Sequence, residues 1–229
     1  MEKVELIQHW NYYCSLAERL DDTKHYIDHG LQEQNGIREL VHGKVYSDTF
    51  KQIIVLAAAE FEIMSKALCD AKGVNPKGIG DISDNILRLF PRIIDFEVST
   101  PFWIGTPLQE WKTSHVNNGK NIKVDGLDWW FAYNSIKHDE KESIKNATLE
   151  NAIAALASLY IIEIYMMKEL FGNMSIVFSY PTVYFKCKYL PHSVSSGEGL
   201  LPDEGNLSPT ERYMRDYPDF FNECSCDNK

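Results

Sequence analysis

The stretch Trp129-Trp130-Phe131-Ala132-Tyr133-Asn134-Ser135-Ile136-Lys137-His138 gathers the residue types that acid–base and phosphate chemistry use. An imidazole titrates near neutrality and takes or gives a proton. A carboxamide beside it can fix its tautomer or donate to a phosphate oxygen. On a helix Leu127, Phe131, Asn134 and His138 fall on one face at spacings of four, three and four. That spacing sets the Asn134 amide next to the His138 ring at the inner end of an apolar stripe, both groups half-buried. Lys137 stands at the same helix end and supplies positive charge. Two readings of the pair stay open: an acid–base site, or a structural hydrogen bond or helix C-cap.

Glu60 is the other conspicuous group, a carboxylate on the otherwise apolar helical row Ile53, Leu56, Glu60, Ile63, Ala67. Lone charges are seldom buried without a partner. Either Glu60 pairs with a cation or with His138 across a bundle, or its row marks the rim of the core and it reaches water, as Glu62 does on the solvent face. Trp129-Trp130 reads as a stacking platform for bases or as core or dimer-interface packing. The chain carries 23 Lys and Arg against 33 Asp and Glu, a formal charge of −10. Its surface as a whole therefore repels phosphate backbones, and any nucleic-acid contact has to be local. Six lysines face five acids between Lys112 and Lys145, the least repulsive region for RNA but not a basic patch.

No GxGxxG, Walker A, HExxH or GxSxG motif occurs, which removes the common nucleotide, zinc-protease and serine-hydrolase readings. The five cysteines are odd in number and scattered, as reduced thiols of a cytosol are. Cys224-Ser-Cys226 has one residue between its sulfurs where a zinc knuckle has two, and its nearest companions are the distant Cys187 and His192. The expectation is no metal and no cofactor.

The elements that must position these groups are mostly helical. With 229 residues, 44% of them hydrophobic, the chain is long enough for one sizeable core. Leu6, Trp10, Tyr13, Ala17 and Leu20 predict a first helix, with a break near Asp21-Asp22 and the pattern resuming at Ile27 and Leu31. Ser47 or Asp48 caps a second helix over 48–71, striped by Phe50, Ile54, Ala57, Phe61, Met64 and Leu68. A short helix runs from Ser83 or Asp84 to Phe90, where Pro91 ends it. Pro101, Gly105, Pro107 and Asn117-Asn118-Gly119 forbid a long element between Ile93 and Asp125, leaving a connection with one helical turn at Leu108 to Trp111. A helix from Asp125 or Asp128 to His138 follows, then a last long one over about 147–171. The most apolar stretch, Ala152 to Met167, is broken by Glu163 and is shorter than the roughly 20 residues of a bilayer crossing, so it reads as a core helix with no membrane role. The start Met1-Glu2-Lys3-Val4-Glu5-Leu6 lacks a secretory pattern, which points to a cytoplasmic location. After residue 172 the texture changes. Ile176 to Phe178 and Val183 to Tyr189 predict a short β-hairpin, and from Pro191 a loose acidic tail follows that can dock through Tyr213, Tyr217, Phe220 and Phe221.

The run WWFAYNSIKHDEKESIKNATLENAIAALASLYIIEIYMM resembles the end of a HEPN-type domain, in the branch with a WW.aYN.vKH segment. Upstream, YSDTFKQIIVLAAAEFEIMSKALC resembles the earlier helix of the same family with its internal glutamate, matching Glu60 or Glu62. The similarity spans about 45–171. It implies an all-α fold, an antiparallel helical bundle over 1–172 with the hairpin and tail of 173–229 appended. It also implies a homodimer and a metal-independent endoribonuclease of toxin or defence type acting on RNA. His138 matches the motif histidine and Asn134 the polar residue, while Tyr133 holds the place of the motif arginine and Glu140 that of the branch's second arginine. A guanidinium at the first place would clamp the scissile phosphate, so the implied site is degenerate. In it His138 works on a 2′-hydroxyl or leaving oxygen, Asn134 positions phosphate or imidazole, and Lys137, Tyr133 and Glu60 support them. The alternative is a non-catalytic helical dimerisation module, a scaffold or antitoxin-like binder of a partner protein.

Overall fold

A computed structural model describes residues 1–34, 37–116, 121–138, 142–171 and 184–187. Five helices pack together, accompanied by several small antiparallel sheets. The last helix, α5 (Leu149–Phe171), has no solvent face along most of its length: every residue from Ala155 to Lys168 is buried. By length and composition alone α5 is long enough to cross a membrane, but here 83% of its most apolar window is covered by other parts of the chain. A helix that is apolar all round has to be enclosed, and that requirement organises the rest.

The main cover is α2 (Asp48–Ala71), which packs along α5 more extensively than any other element. Its start is fixed by Ser47, whose hydroxyl accepts from the Phe50 N–H at 3.1 Å, an N-cap bond worth about 1 kcal/mol. The stripe Phe50, Ile54, Ala57, Phe61, Met64 and Leu68 is wholly buried. A second cover, α1 (Lys3–Asp22), lays Leu6, Trp10, Tyr13, Ala17 and Leu20 against the same core. Its Trp10 and Tyr13 rings pack on Tyr160 of α5 at centroid distances of 6.1 and 5.7 Å.

The helix expected to resume at Ile27 and Leu31 does not form. After a 3-10 turn at Thr23–His25 the chain enters an antiparallel hairpin of β1 (Leu31–Gln34) and β2 (Ile37–Leu40). A buried polar relay fixes the turn that follows α1. The Thr23 hydroxyl donates to the Leu20 carbonyl at 2.6 Å, so its oxygen is left to accept from His29 Nε2 at 2.9 Å. His29 Nδ1 then accepts from the Tyr184 hydroxyl at 3.2 Å. This wiring needs His29 inside the fold, where it is only 2% exposed, and a continuing helix would not deliver it there.

The chain is mostly helical, but besides the hairpin before α2, strands also form between α3 (Ile79–Leu89) and the helix that follows. α3 begins after Gly78, ahead of the expected Ser83, and Pro91 opens a 3-10 turn at Pro91–Asp95. The supposed connection then folds into β3 (Val98–Thr100), β4 (Trp103–Gly105), β5 (Lys112–Val116) and β6 (Asn121–Asp125). β3 pairs with β4 and β5 with β6, each pair antiparallel. Between the two pairs the turn at Leu108 to Trp111 does form, the Trp111 N–H donating to the Leu108 carbonyl at 2.9 Å. β3 and β4, three residues each and set around Pro101, are too short to register as a period-two pattern, whereas β6 alternates Ile122 and Val124 with polar residues over five positions, a signal that the breakers around it outweigh.

Of the segment expected to form a C-terminal hairpin, the described part holds β7 (Lys186–Cys187), which pairs antiparallel with β3, Cys187 opposite Val98. Tyr184, Phe185 and Cys187 are buried, with Phe185 packed on Tyr160 and Trp103, so this piece of the expected appendage is built into the core. Glu140, Ile176 to Phe178, His192, Tyr213, Tyr217, Phe220, Phe221, Cys224 and Cys226 lie outside the described residues.

Two buried titratable groups make stability depend on pH in opposite directions. Both oxygens of Glu163 lack a hydrogen-bond partner among the described residues, as does the Tyr13 hydroxyl. Burial first, and the Glu60 carboxylate second, hold the Glu163 carboxyl well above its ordinary value of 4.5. Above about pH 4.5 the unfolded chain therefore releases a proton that the folded chain keeps, and stability falls as pH rises. Glu163→Gln, which cannot ionise, is expected to match the wild type near pH 4 and to melt at a higher temperature than it near pH 8, as followed by circular dichroism. A constant difference between the two proteins at both pH values would refute the assignment. For His29, burial first and the Lys24 ammonium second lower the pKa from 6.5, against the opposing pull of Asp21 and Asp28. Below pH 6.5 the unfolded chain binds a proton that the folded chain refuses, so stability is lost on acidification. Urea titrations should show His29→Gln losing less stability than the wild type between about pH 6.5 and 5.

Candidate functional site

The helix carrying Asn134, with His138 at its end, is α4 (Asp128–Lys137). The chain enters it from β6 through Gly126, whose φ is +83°. A Cβ there would stand 1.6 Å from the Glu110 carbonyl oxygen, so only glycine fits. Aromatic packing then sets the rotation of the helix. Trp129 meets Phe61 of α2 edge-on at 5.1 Å and Trp130 at 5.7 Å, and Trp130 meets Tyr133 at 5.0 Å. Trp129, Trp130, Tyr133 and Ile136 are all buried.

This rotation reverses the one expected from the Leu127, Phe131, Asn134, His138 stripe. Leu127, which precedes the helix, is buried, but Phe131 is 45% exposed, Asn134 is half-buried and His138 is exposed. Two tryptophans and a tyrosine bury roughly 150–250 Å² each, far more than one phenylalanine offers, so the larger set takes the core. Asn134 and His138 share a face that looks outward. The exposed aromatic next to them is Phe131, and the Trp129-Trp130 pair is not available for stacking.

His138 occupies the C-cap of α4, its backbone N–H bonded to the Asn134 carbonyl at 3.0 Å. Neither side chain makes a hydrogen bond among the described residues. Lys137 Nζ lies 5.3 Å from the centre of the Tyr133 ring, and Tyr133 is 6% exposed. Glu60 does not meet His138. It is buried and bonded to His9 Nδ1 of α1, so it belongs to the contact between α1 and α2.

Asn134 opens onto a cleft of about 590 Å³ between α4, the 3-10 turn Ser143–Asn146 and the start of α5, with Lys44 at its edge. Asn146 Nδ2 donates to Ser135 Oγ at 3.1 Å, and Asn151 Nδ2 donates to the Asn146 carbonyl at 2.9 Å. Lys44 is hydrogen-bonded to Glu150, a contact that raises the pKa of its ammonium. Lys145 Nζ reaches Glu142 at 2.8 Å, from a backbone in which Glu142 takes a left-handed φ of +64°. Both cations of the cleft are thus held by carboxylates. Sequence reasoning missed Lys44, Asn146 and Asn151, which come from other parts of the chain and carry no motif of their own. Among the described residues no group of three or more His, Cys, Asp and Glu stands close enough to hold a metal ion.

No family model, curated protein or solved structure matches this chain.

The burial of Tyr133 bears on whether a cation can stand at this position. Tyr133→Arg would put a guanidinium against Trp130 inside the fold, and it is expected to cost about 2 kcal/mol or more. An unchanged urea midpoint for the variant would show that this position has free access to solvent.

Proposed function

We propose that the protein is a HEPN-like antiparallel helical bundle that acts in the cytoplasm, as a homodimer, as a metal-independent endoribonuclease of toxin or defence type with a degenerate site. One observation carries the reading: Asn134 and His138, the residues that match the family's motif, share the outward face of α4, where an RNA strand can reach both. His138 takes the proton of a 2′-hydroxyl, whose oxygen attacks the adjacent phosphorus. The bond from phosphorus to the 5′-oxygen breaks, and that oxygen takes a proton from solvent and leaves as a hydroxyl, with a 2′,3′-cyclic phosphate left behind. Asn134 donates to a phosphate oxygen, and Lys137 supplies charge at the same helix end.

A second reading is favoured by Tyr133, whose ring is buried where a phosphate-binding cation is needed, and by Lys44 and Lys145, both committed to carboxylates. In that reading the outward face of α4 binds a partner protein without catalysis, in the manner of a scaffold or antitoxin. Incubating a mixed RNA pool with purified wild-type and His138→Ala protein in EDTA separates the two. Cleavage with cyclic-phosphate ends by the wild type, lost in the variant, is expected. Intact RNA with both proteins would leave the binding role as the function.

A further inference from the structure

The cleft beside α4 contains more than the motif residues account for. Phe131 exposes 45% of its surface on a helix whose other aromatic side chains are all buried, and it lines the cleft together with Asn134. Several neighbouring polar groups are already used: Ser135 by Asn146, Asn146 by Asn151, Lys44 by Glu150 and Lys145 by Glu142. The Asn134 carboxamide makes no side-chain hydrogen bond within the described residues. The cleft therefore presents an exposed aromatic face and, three residues along the same helix, a carboxamide with no partner among the described residues. Its volume of about 590 Å³ is in the range of small-ligand sites.

We propose that this cleft is a nucleobase site selective for adenine. The Phe131 ring stacks on the base, and the Asn134 carboxamide pairs with its edge, accepting from the exocyclic amine and donating one N–H to the ring nitrogen beside it, which leaves the second N–H for a phosphate oxygen. That is the geometry by which asparagine reads adenine elsewhere. The rest of the wall supports the choice. Asp128 also lines the cleft, and a carboxylate there repels the carbonyl oxygens of guanine, cytosine and uracil while accepting from an amine, whereas Glu150 is already engaged by Lys44. Adenine is the one common base with no carbonyl oxygen. The same base can arrive as a free nucleotide or within a single strand of RNA. The second source rests on the RNA reading above, whereas the first does not.

The test is titration of the isotope-labelled full chain, followed by NMR, with AMP, GMP, CMP and UMP, and then with a 2′-O-methyl adenosine oligomer that cannot be cleaved. AMP is expected to shift the Asn134 side-chain amide signals and to bind about tenfold more tightly than the other three. Phe131→Ala and Asn134→Ala should each weaken AMP binding by about tenfold or more. Both residues line an open cleft, and an unchanged amide spectrum elsewhere confirms that the variants fold. An oligomer that binds more tightly than AMP assigns the site to RNA, and equal or weaker binding assigns it to the free nucleotide. The proposal is overturned if AMP causes no shift, if the four nucleotides bind alike, or if neither substitution weakens binding. RNA cleavage without any adenine binding would overturn this proposal alone, and AMP binding without cleavage would overturn the nuclease reading alone.

Discussion

The constraint on which the structure depends is that α5 has no polar side to give to water. From Ala155 to Lys168 every position is buried, so α1 and α2 have to lie along it and a segment from beyond its own C-terminus has to fold back over it. The apolar area this removes from water is the largest favourable term available to the fold. It also explains how a carboxyl group without a hydrogen-bond partner among the described residues is tolerated at Glu163. Burial raises its pKa well above the ordinary carboxyl value, because keeping the proton costs less than opening the core to hydrate the anion.

What the sequence reveals follows from how local each determinant is. α2 is legible to the residue, because its cap, its stripe and its length all lie within one stretch of chain. α1, α3, α4 and α5 can be located but their ends drift, since a cap such as Leu127 or Gly78 has no distinctive side chain. The first hairpin has a local signal, the Asn35-Gly36 dipeptide between its strands, but the same dipeptide reads as a helix stop. The pairing of β7 has none, because it depends on β3, far along the chain. A periodicity within one segment carries no trace of such a contact.

The site shows the same division. Asn134, Lys137 and His138 stand out by type and spacing, and they do lie together at the end of α4. Spacing alone does not give the direction they face, because the stripe through Phe131 and the set Trp129, Tyr133 and Ile136 both satisfy helical periodicity. Phe61 of α2, set between the rings of Trp111 and Trp129, decides between them. For Glu60 the sequence offers a partner on α4, whereas the fold supplies His9 from α1. Helical spacing identifies a face, and tertiary packing says whether that face looks inward.

The segment Tyr184–Cys187 closes the core by bonding to a histidine 155 positions earlier. A contact of that span is among the last to form when a chain folds, because a very long loop has to be closed before it yields any stabilisation. During synthesis α1, α2 and α5 emerge and can associate while Tyr160 and β3 still lack their cover. The final cooperative step waits until Cys187 has left the ribosome. The molecule therefore completes its fold after translation of the helices, and any chain that stops at the end of α5 presents an open apolar seam to the cell's chaperones and proteases.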